Sequence, residues 1–426
     1  MYSNYSFEKL IDKGPSIPLK KGQINVGLLN ANPFFKGIAN LGHQAISYYL
    51  IERNVNVYMG FADTVFKGQF INGDIQPIDC DLITISVPFE DTYLNVLRIL
   101  ESIGFPLYAS DRDESFPIVI GGGMAMINPI PLSPFFDVVI VGEGRETLHQ
   151  IVQLYERYSA ENRYTKSDFL YEISELPGVY IPSHYDIEVD ENGYVTDFKT
   201  KNGIEYIQAN TALDLVEHPI YSIWTSKKSC YEYDDYFSLM VAMGCNKKCP
   251  YCVVGSVQGG KDGRALQINY EQVIRLAIER QTQYGTRVIK LFFSSAFSQG
   301  GDDINSANLK NLLTQLYTLG FQAKTGSLNI KQADDELFEL LKVHGQTDVT
   351  FAPETVEHLR PLIGKAYITD DKLFYLVDQC NKHSLSLKLY MLGAIPGETD
   401  QDTMMQANLI NRVRKALRRD LLLEIH

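Results

Sequence analysis

Three of the chain's six cysteines fall within eight residues, in the stretch MGCNKKCPYCVVG. Cys245, Cys249 and Cys252 have the spacing C-x3-C-x2-C, and thiolates grouped in this way are ligands for soft metals. A structural zinc ion takes four ligands, and a four-iron cluster is normally held by four thiolates. With three thiolates, a cluster keeps one iron open for a substrate or cofactor.

The remaining cysteines leave more than one interpretation open. Cys230 and His218 lie upstream of the group, so a zinc site with a further ligand stays possible. A disulfide within the group would leave an odd thiol. Because Cys80, Cys230 and Cys380 are scattered, the pattern is not a disulfide framework and indicates a reducing, cytoplasmic compartment.

Length and charge limit the class of protein. At 426 residues the chain predicts two or three domains rather than one core. A net charge of −13 argues against non-specific binding of nucleic acid, because such binding requires clustered Lys and Arg. The sequence contains no apolar run of about 18 residues, so no membrane span is expected. Its N-terminus lacks the pattern of a signal peptide.

Apolar strands alternate with helical patterns in the N-terminal half. The predicted strands are INVGLLN, VNVYMGF, DLITISV, PIVIGGG and DVVIVGEG. Continuous apolar strands of this kind form a parallel sheet covered on both faces. We therefore expect an α/β, flavodoxin-like (Rossmann-type) doubly wound domain over residues 21–160, after an extension over residues 1–20. Its ligand would bind at the carboxyl ends of the strands.

A second strand–helix series occupies residues 233–426 and predicts a partial (βα)6 barrel of the TIM type, with its chemistry on the loops that follow the strands. Between the two series, residues 161–232 form a connecting segment. The turn sequence DENG, between alternating residues, predicts a small β hairpin there. The cysteine group follows the first predicted barrel strand.

The three cysteines, with Tyr251 directly before the last of them, resemble the radical S-adenosylmethionine (SAM) superfamily. The resemblance implies that Cys245, Cys249 and Cys252 bind a 4Fe-4S cluster whose open iron chelates SAM, and that Tyr251 lies against the adenine. Cleavage of SAM would give a 5′-deoxyadenosyl radical. An external electron donor, similar to flavodoxin or ferredoxin, would then be required.

Further segments of the barrel resemble the SAM-binding motifs of this superfamily. GAIPGETD is similar to a segment that passes the adenine, and FAPETVEHLRPLIGK is similar to a segment of cobalamin-binding members. Two serines stand where the family has a G-G-E motif, and GSLNI follows the third barrel strand. The implied SAM contacts are Ser294, Ser295, Ser327, Asn329, Glu354, Gly393, Ile395 and Gly397.

The N-terminal half resembles the cobalamin-binding domains that precede such barrels, through the stretch PIVIGGG…NPIPLSPFFDVVIVGEG. The implied cobalamin contacts are Asn30, Asn32, Ser86, Gly121, Gly122, Gly123, Gly142, Glu143 and Gly144. Mutase-type domains carry D-x-H-x-x-G after the first strand, but the corresponding loop here, NANPFFKG, contains no histidine. His43 falls in the next helix, where a structural role is expected.

The sequence therefore predicts a cobalamin-dependent radical SAM enzyme. Its expected reaction is methylation of an unactivated carbon of an unidentified small molecule or peptide through methylcobalamin. A cyclisation or rearrangement with the same cofactors is the first alternative, and a non-catalytic iron–sulfur and cobalamin sensor is the second. A methylthiotransferase is disfavoured, because its N-terminal domain would supply three more cluster cysteines.

Overall fold

The computed structural model describes residues 6–65, 69–161, 165–230, 236–245, 247, 249–254, 265–293, 306–331 and 333–426, with the side chains of 306 and 307 excepted. The chain divides into two compact units. The first comprises Met1–Thr211 and Tyr221–Asp234, and the second comprises Ala212–Ile220 and Asp235–His426. The predicted connecting segment is thus divided between them.

The first unit is built on one sheet. Its strands are β1 (Asn25–Asn30), β2 (Asn56–Phe61), β3 (Leu82–Ser86), β4 (Ile118–Gly122), β5 (Val138–Ile140) and β6 (Val179–Tyr180). The order is β2-β1-β3-β4-β5-β6, with the first five strands parallel and β6 antiparallel to β5. The order 2-1-3-4-5 is that of flavodoxin-like domains, so the predicted fold is confirmed.

Helices cover both faces of this sheet. They are α1 (Phe7–Leu10), α2 (Phe34–Gly37), α3 (Leu41–Ile51), α4 (Ala62–Val65), α5 (Tyr93–Ser102), α6 (Arg145–Ala160) and α7 (Lys166–Ile173). Alternate strand residues face opposite ways. Accordingly, Ile118 packs in one hydrophobic cluster, with Leu148 of α6, whereas Val119 packs in another, with Val96 of α5. Outside the sheet, β7 (Tyr185–Val189) and β8 (Val195–Thr200) form the predicted antiparallel hairpin.

The returning segment Tyr221–Asp234 completes the core of the first unit. Trp224 is buried in the same cluster as Val26 and Leu28 of β1, and its Nε1 donates a hydrogen bond to the Pro15 carbonyl at 2.8 Å. The side chain of Gln44 on α3 accepts hydrogen bonds from the backbone N–H groups of Ile223 and Trp224, at 2.7 and 2.9 Å. Its amide nitrogen donates to the Trp224 carbonyl at 3.0 Å.

The described part of the second unit contains six barrel strands and one short strand that is antiparallel to the first of them. They are β9 (Tyr236–Met243), β10 (Leu266–Gln267), β11 (Val288–Phe293), β12 (Gln322–Thr325), β13 (Asp348–Glu354), β14 (Ser386–Met391) and β15 (Leu423–Ile425). Strands β9, β11 and β12 are parallel neighbours, and so are β13, β14 and β15. A hydrogen bond of 3.0 Å from Leu328 N to Thr350 O joins the chain after β12 to β13. The predicted six-stranded partial barrel is confirmed.

Five helices of the second unit lie in the described part of the chain, and four of them begin at a side-chain N-cap. They are α8 (Tyr270–Tyr284), α9 (Ser306–Thr318), α10 (Asp335–Val343), α11 (Asp370–His383) and α12 (Asp400–Ala416). Side chains of Asn269, Asp334, Thr369 and Thr399 accept hydrogen bonds from first-turn N–H groups, as preferred N-cap residues do. In the described part of the chain, no helix has both the length and the apolar character needed to cross a bilayer.

Candidate active site

The cysteine group lies on the loop after the first barrel strand. β9 ends at Met243, and Gly244 turns the chain with a φ of +82°, a conformation that favours glycine. The Lys247 N–H points at Cys245 Sγ, at 3.3 Å, and the Cys252 N–H donates to the Cys249 carbonyl at 3.0 Å. All three cysteines are half-buried. The loop thus follows the carboxyl end of a barrel strand, where TIM-type folds carry their chemistry.

The three thiols lie within electrostatic range of one another. Burial raises the pKa of the Cys249 thiol; Lys365 opposes this shift, and the thiols of Cys245 and Cys252 add to it. Burial also raises the pKa of Tyr367 to about 12, with further contributions from Cys249 and Cys245. Lys365 and Tyr367, which both follow β13, therefore flank the cysteine loop.

The donor set fits an iron–sulfur cluster. Ligands of one zinc ion stand within about 4 Å of one another, because each zinc–sulfur bond is about 2.3 Å. Among the described residues, no group of three or more Cys, His, Asp or Glu side chains is arranged around a single metal position. Thiolates on a four-iron cluster bind different irons and stand further apart. Three half-buried thiols on one loop are a donor set of the kind that an iron–sulfur cluster takes.

Glu354 connects the cysteine loop to β13. Its buried carboxylate accepts a hydrogen bond of 2.9 Å from the Tyr251 hydroxyl and one of 2.6 Å from Lys365 Nζ. Lys365 Nζ also donates to the Ala352 carbonyl at 2.8 Å. Burial, followed by the Glu354 charge, raises the pKa of Tyr251, so its hydroxyl stays a donor. Sequence reasoning identified Glu354 and Tyr251 but missed Lys365, although it closes the quoted FAPETVEHLRPLIGK segment.

Three predicted SAM contacts lie on the loop after β14. The Ile395 N–H donates to Glu398 Oε2 at 2.9 Å, and the Ile395 side chain is buried. Gly397 has a φ of +90°, and at both Gly393 and Gly397 no atom of the described residues lies within 4 Å of the position of a Cβ. An open backbone of this kind is accessible to a flat ligand. Contact with SAM stays a prediction at each position.

The other predicted SAM contacts are distributed differently. Ser327 is exposed after β12, and the Asn329 side chain accepts a hydrogen bond of 2.9 Å from the Lys331 N–H, which caps the local turn. Ser294 and Ser295 lie outside the described residues. Strand ends β9, β12, β13 and β14 therefore supply the candidate residues that the structure describes.

Not all the glycines of the predicted cobalamin edge make room for a ligand. A Cβ on Gly123 would lie 2.5 Å from the Val87 carbonyl oxygen, and one on Gly142 would lie 2.4 Å from that of Asn210. Both glycines also have positive φ values, +112° and +94°. These two residues allow the chain to approach itself.

The remaining glycines of this edge divide in the same way. A Cβ on Gly121 would press on the Phe136 ring at 3.1 Å. At Gly122 and Gly144 the nearest atoms to a Cβ would be 3.8 Å away, an ordinary contact distance. These two positions are therefore the ones where the backbone stays open toward a ligand.

Several polar groups at the same edge already form hydrogen bonds within the protein. The Glu143 carboxylate accepts two hydrogen bonds of 3.0 Å from the buried Arg145 guanidinium. Ser86 accepts a backbone bond of 2.9 Å from the Ala31 N–H. Asn30 Oδ1 accepts a bond of 2.9 Å from the Asn32 N–H, while its buried Nδ2 has no partner among the described residues. That donor is a fully buried side-chain atom of the predicted cobalamin set that has no hydrogen-bond partner in the described chain.

His43 is buried, as expected of a structural residue. Its ring packs on Phe61 with centroids 5.4 Å apart, and neither ring nitrogen has a partner among the described residues. Burial lowers the pKa of His43 to about 3. The imidazole is therefore neutral at physiological pH.

The chain thus combines a doubly wound domain with a partial barrel that carries three cysteines after its first strand. Residues 73–182 match the sequence family described as "Radical SAM proteins, N-terminal". The resemblance predicted from the sequence is thereby confirmed, and the class of a radical SAM enzyme is supported.

Three proteins are similar to this chain over more than nine tenths of its length. An uncharacterized protein of Methanocaldococcus jannaschii is 25% identical over 400 residues, which is 93% of this chain and 75% of that protein. The radical SAM methyltransferase TsrM from Kitasatospora setae, solved with cobalamin and a [4Fe-4S] cluster, has a TM-score of 0.60 at 15% identity, covering 95% of this chain and 72% of TsrM. The cobalamin-dependent radical enzyme OxsB, solved with aqua-cobalamin, has a TM-score of 0.60 at 13% identity, covering 94% and 54%. The two solved structures show a shared fold.

Proposed function

We propose that this protein is a cobalamin-dependent radical SAM enzyme that methylates an unactivated carbon of a small molecule or peptide. One observation carries the proposal: three neighbouring thiols follow β9 of a partial barrel whose chain also contains a 2-1-3-4-5 parallel sheet. When bound, the cluster and SAM supply the radical that removes a hydrogen atom, and cobalamin supplies the methyl group.

The chain's own residues would hold and orient these groups. Cys245, Cys249 and Cys252 would each bind an iron, which leaves the fourth iron for SAM. The Tyr251 ring, fixed by its hydrogen bond to Glu354, would support the adenine. Such placement of reactants in a near-attack arrangement is the main contribution that a protein makes to cofactor chemistry.

The corrin would bind at the carboxyl edge of the first unit's sheet. Gly122 and Gly144 leave backbone accessible there, and the unpaired Asn30 amide is a donor close to the end of β1. Since the loop after β1 carries no histidine, the lower face of the cobalt would have no imidazole from that loop.

A non-methylating cyclisation or rearrangement with the same cofactors is the second candidate. The fold shared with OxsB, a cobalamin-dependent S-adenosylmethionine radical enzyme, is compatible with either reaction. The two candidates differ in the mass of the product, because only methylation adds a CH2 unit.

The test is anaerobic reconstitution with iron, sulfide and cobalamin, followed by assays with SAM and a reductant. We expect about four irons per chain, a bound-corrin absorption spectrum and release of 5′-deoxyadenosine. Candidate substrates are then screened by mass for added CH2. Protein that binds zinc, or a cluster that is indifferent to SAM, would contradict the proposal, whereas a protein without corrin would remove methyl transfer alone.

A further inference from the structure

Tyr251, Glu354 and Lys365 form a connected group, here called the Tyr–Glu–Lys triad. The side chains of Glu354 and Lys365 are 8% and 9% exposed, and their charged atoms are 2.6 Å apart. Tyr251 joins them through its 2.9 Å hydrogen bond to the same carboxylate oxygen. The Lys365 ammonium also lies 5.8 Å from the centroid of the Tyr251 ring. Three parts of the chain, the cysteine loop, the end of β13 and the following segment, therefore meet at one ion pair.

The backbone at Glu354 indicates that this side chain is needed there. Its φ is +67°, in the left-handed region that glycine and asparagine adopt most easily. Surrounding hydrogen bonds hold this conformation, including one of 2.6 Å from the Leu392 N–H to the Glu354 carbonyl. Since the backbone conformation itself disfavours glutamate, the chemistry of the carboxylate accounts for its presence.

The charge of this carboxylate bears on any cluster held by the neighbouring loop. Tyr251 lies between Cys249 and Cys252 in the sequence, so its hydrogen bond ties the Glu354 carboxylate to the loop that carries these cysteines. A buried negative charge opposes the addition of an electron nearby, and a positive charge favours it. Local net charge and hydrogen bonding are among the factors that set the reduction potential of iron–sulfur clusters.

We propose that the triad is a positioning and charge-balancing device for the cysteine loop. In it, Lys365 offsets the Glu354 charge so that a cluster on Cys245, Cys249 and Cys252 accepts an electron more readily. This inference rests on the proposed function. The step concerned adds one electron from an external one-electron reductant to the oxidised cluster, and no bond to the protein forms or breaks. Glu354, which the sequence predicted as a SAM contact, acts here through Tyr251 and is a positioning residue.

A double-mutant cycle tests the sign of each charge. The variants are Lys365→Met, Glu354→Gln and the two combined, and the readout is the midpoint potential of the reconstituted cluster in a redox titration followed by electron paramagnetic resonance. Lys365→Met makes the potential more negative and Glu354→Gln makes it more positive. We expect each equilibrium constant for reduction to change about tenfold, which is about 59 mV for one electron. The double variant returns close to the wild-type potential.

Matched controls separate charge from packing. Lys365→Arg keeps the positive charge and should keep the wild-type potential. Lys310→Met removes another lysine of the same unit that is paired with carboxylates, those of Asp334 and Glu336 at 2.8 and 2.6 Å, and should leave the potential unchanged. If Lys365→Met fails to fold, Glu354→Gln is nearly isosteric and still tests the expected positive shift.

The possible outcomes distinguish this inference from the function on which it rests. Wild-type protein without a cluster would overturn both. A wild-type cluster whose potential is the same in Glu354→Gln, or moves in the same direction in both single variants, would overturn the charge-balancing role alone. Opposite shifts that cancel in the double variant would support it, since a purely structural role gives no such pattern.

Discussion

The two candidate binding edges of this protein differ in the residues that form them: glycines at the sheet edge, and cysteines and charged side chains at the barrel edge. At the sheet edge of the first unit, most of the glycines that suggest a ligand instead let the chain pack on itself, at Val87, Phe136 and Asn210. At the barrel edge, thiols and a buried ion pair lie side by side. A glycine cluster is therefore weak evidence for a binding site until its neighbours are known, whereas reactive side chains in one loop are strong evidence.

The variant with the largest expected effect tests the proposed cluster site at the barrel edge. Cys249→Ala removes one of the three proposed cluster ligands and should abolish cluster binding, lowering 5′-deoxyadenosine formation at least about 1000-fold. The iron content of the purified variant measures cluster binding, and an assay for released 5′-deoxyadenosine measures the reaction. Cys230→Ala removes the cysteine that the sequence analysis considered as a further zinc ligand. It should change neither the iron content nor the release of 5′-deoxyadenosine. Retained activity in Cys249→Ala would exclude the cluster from the mechanism.

Two glycine variants would sharpen the contrast within the sheet edge. Gly142→Ala places a Cβ against the Asn210 carbonyl at a φ of +94° and should lower the free energy of unfolding by about 2–4 kcal/mol. Gly122→Ala meets only an ordinary contact at 3.8 Å, so stability should change by less than about 1 kcal/mol. Urea unfolding measures both values.

The same pair separates packing from binding. Gly122→Ala should weaken corrin retention because its methyl group fills space left open for the ligand, and the corrin absorbance of the reconstituted protein measures this. If Gly122→Ala retains corrin as the wild type does while Gly142→Ala folds normally, the assignment of the two glycines is wrong.

Two buried histidines extend the comparison to pH. His43 in the first unit has no ring partner among the described residues, whereas His344 in the second accepts a bond of 3.0 Å from the Ala323 N–H and lies 2.9 Å from the Leu313 carbonyl. Burial lowers the pKa of both, that of His43 to about 3. A group whose pKa is depressed by folding contributes its full stability above its unfolded pKa of about 6.5 and loses it as pH falls toward the folded value.

Acid should therefore destabilise the first unit through His43, by about 3 kcal/mol between pH 7 and pH 4. His43→Leu removes a group that must stay neutral and should flatten this part of the profile, measured as urea midpoints against pH. His344→Leu leaves the Ala323 N–H unpaired, so it should destabilise the protein at pH 7 as well. An unaltered profile in His43→Leu would show that another group dominates acid unfolding.

The sequence was sufficient to predict both folds because continuous apolar strands and helical periods recur in order along the chain. The cysteine spacing was sufficient to predict a cluster site, because all of its candidate ligands lie in one loop. Lys365 was missed because its pairing with Glu354 depends on the path of the segment after β13. Likewise, no local pattern could tell that Gly142 faces Asn210, because that residue lies far along the chain. β10, with two residues, is too short for periodicity to detect.

The return of the chain to the first unit has a practical consequence for dissecting the protein. A fragment ended at Thr211 would contain all six strands of the sheet yet lack Trp224, whose indole fills the core and bonds to the Pro15 carbonyl. The Gln44 amide would lose three backbone partners at once. For separate expression, the chain should therefore be divided after Asp234 rather than after Thr211. Alternatively, residues 221–234 should be supplied as a peptide to the fragment that ends at Thr211.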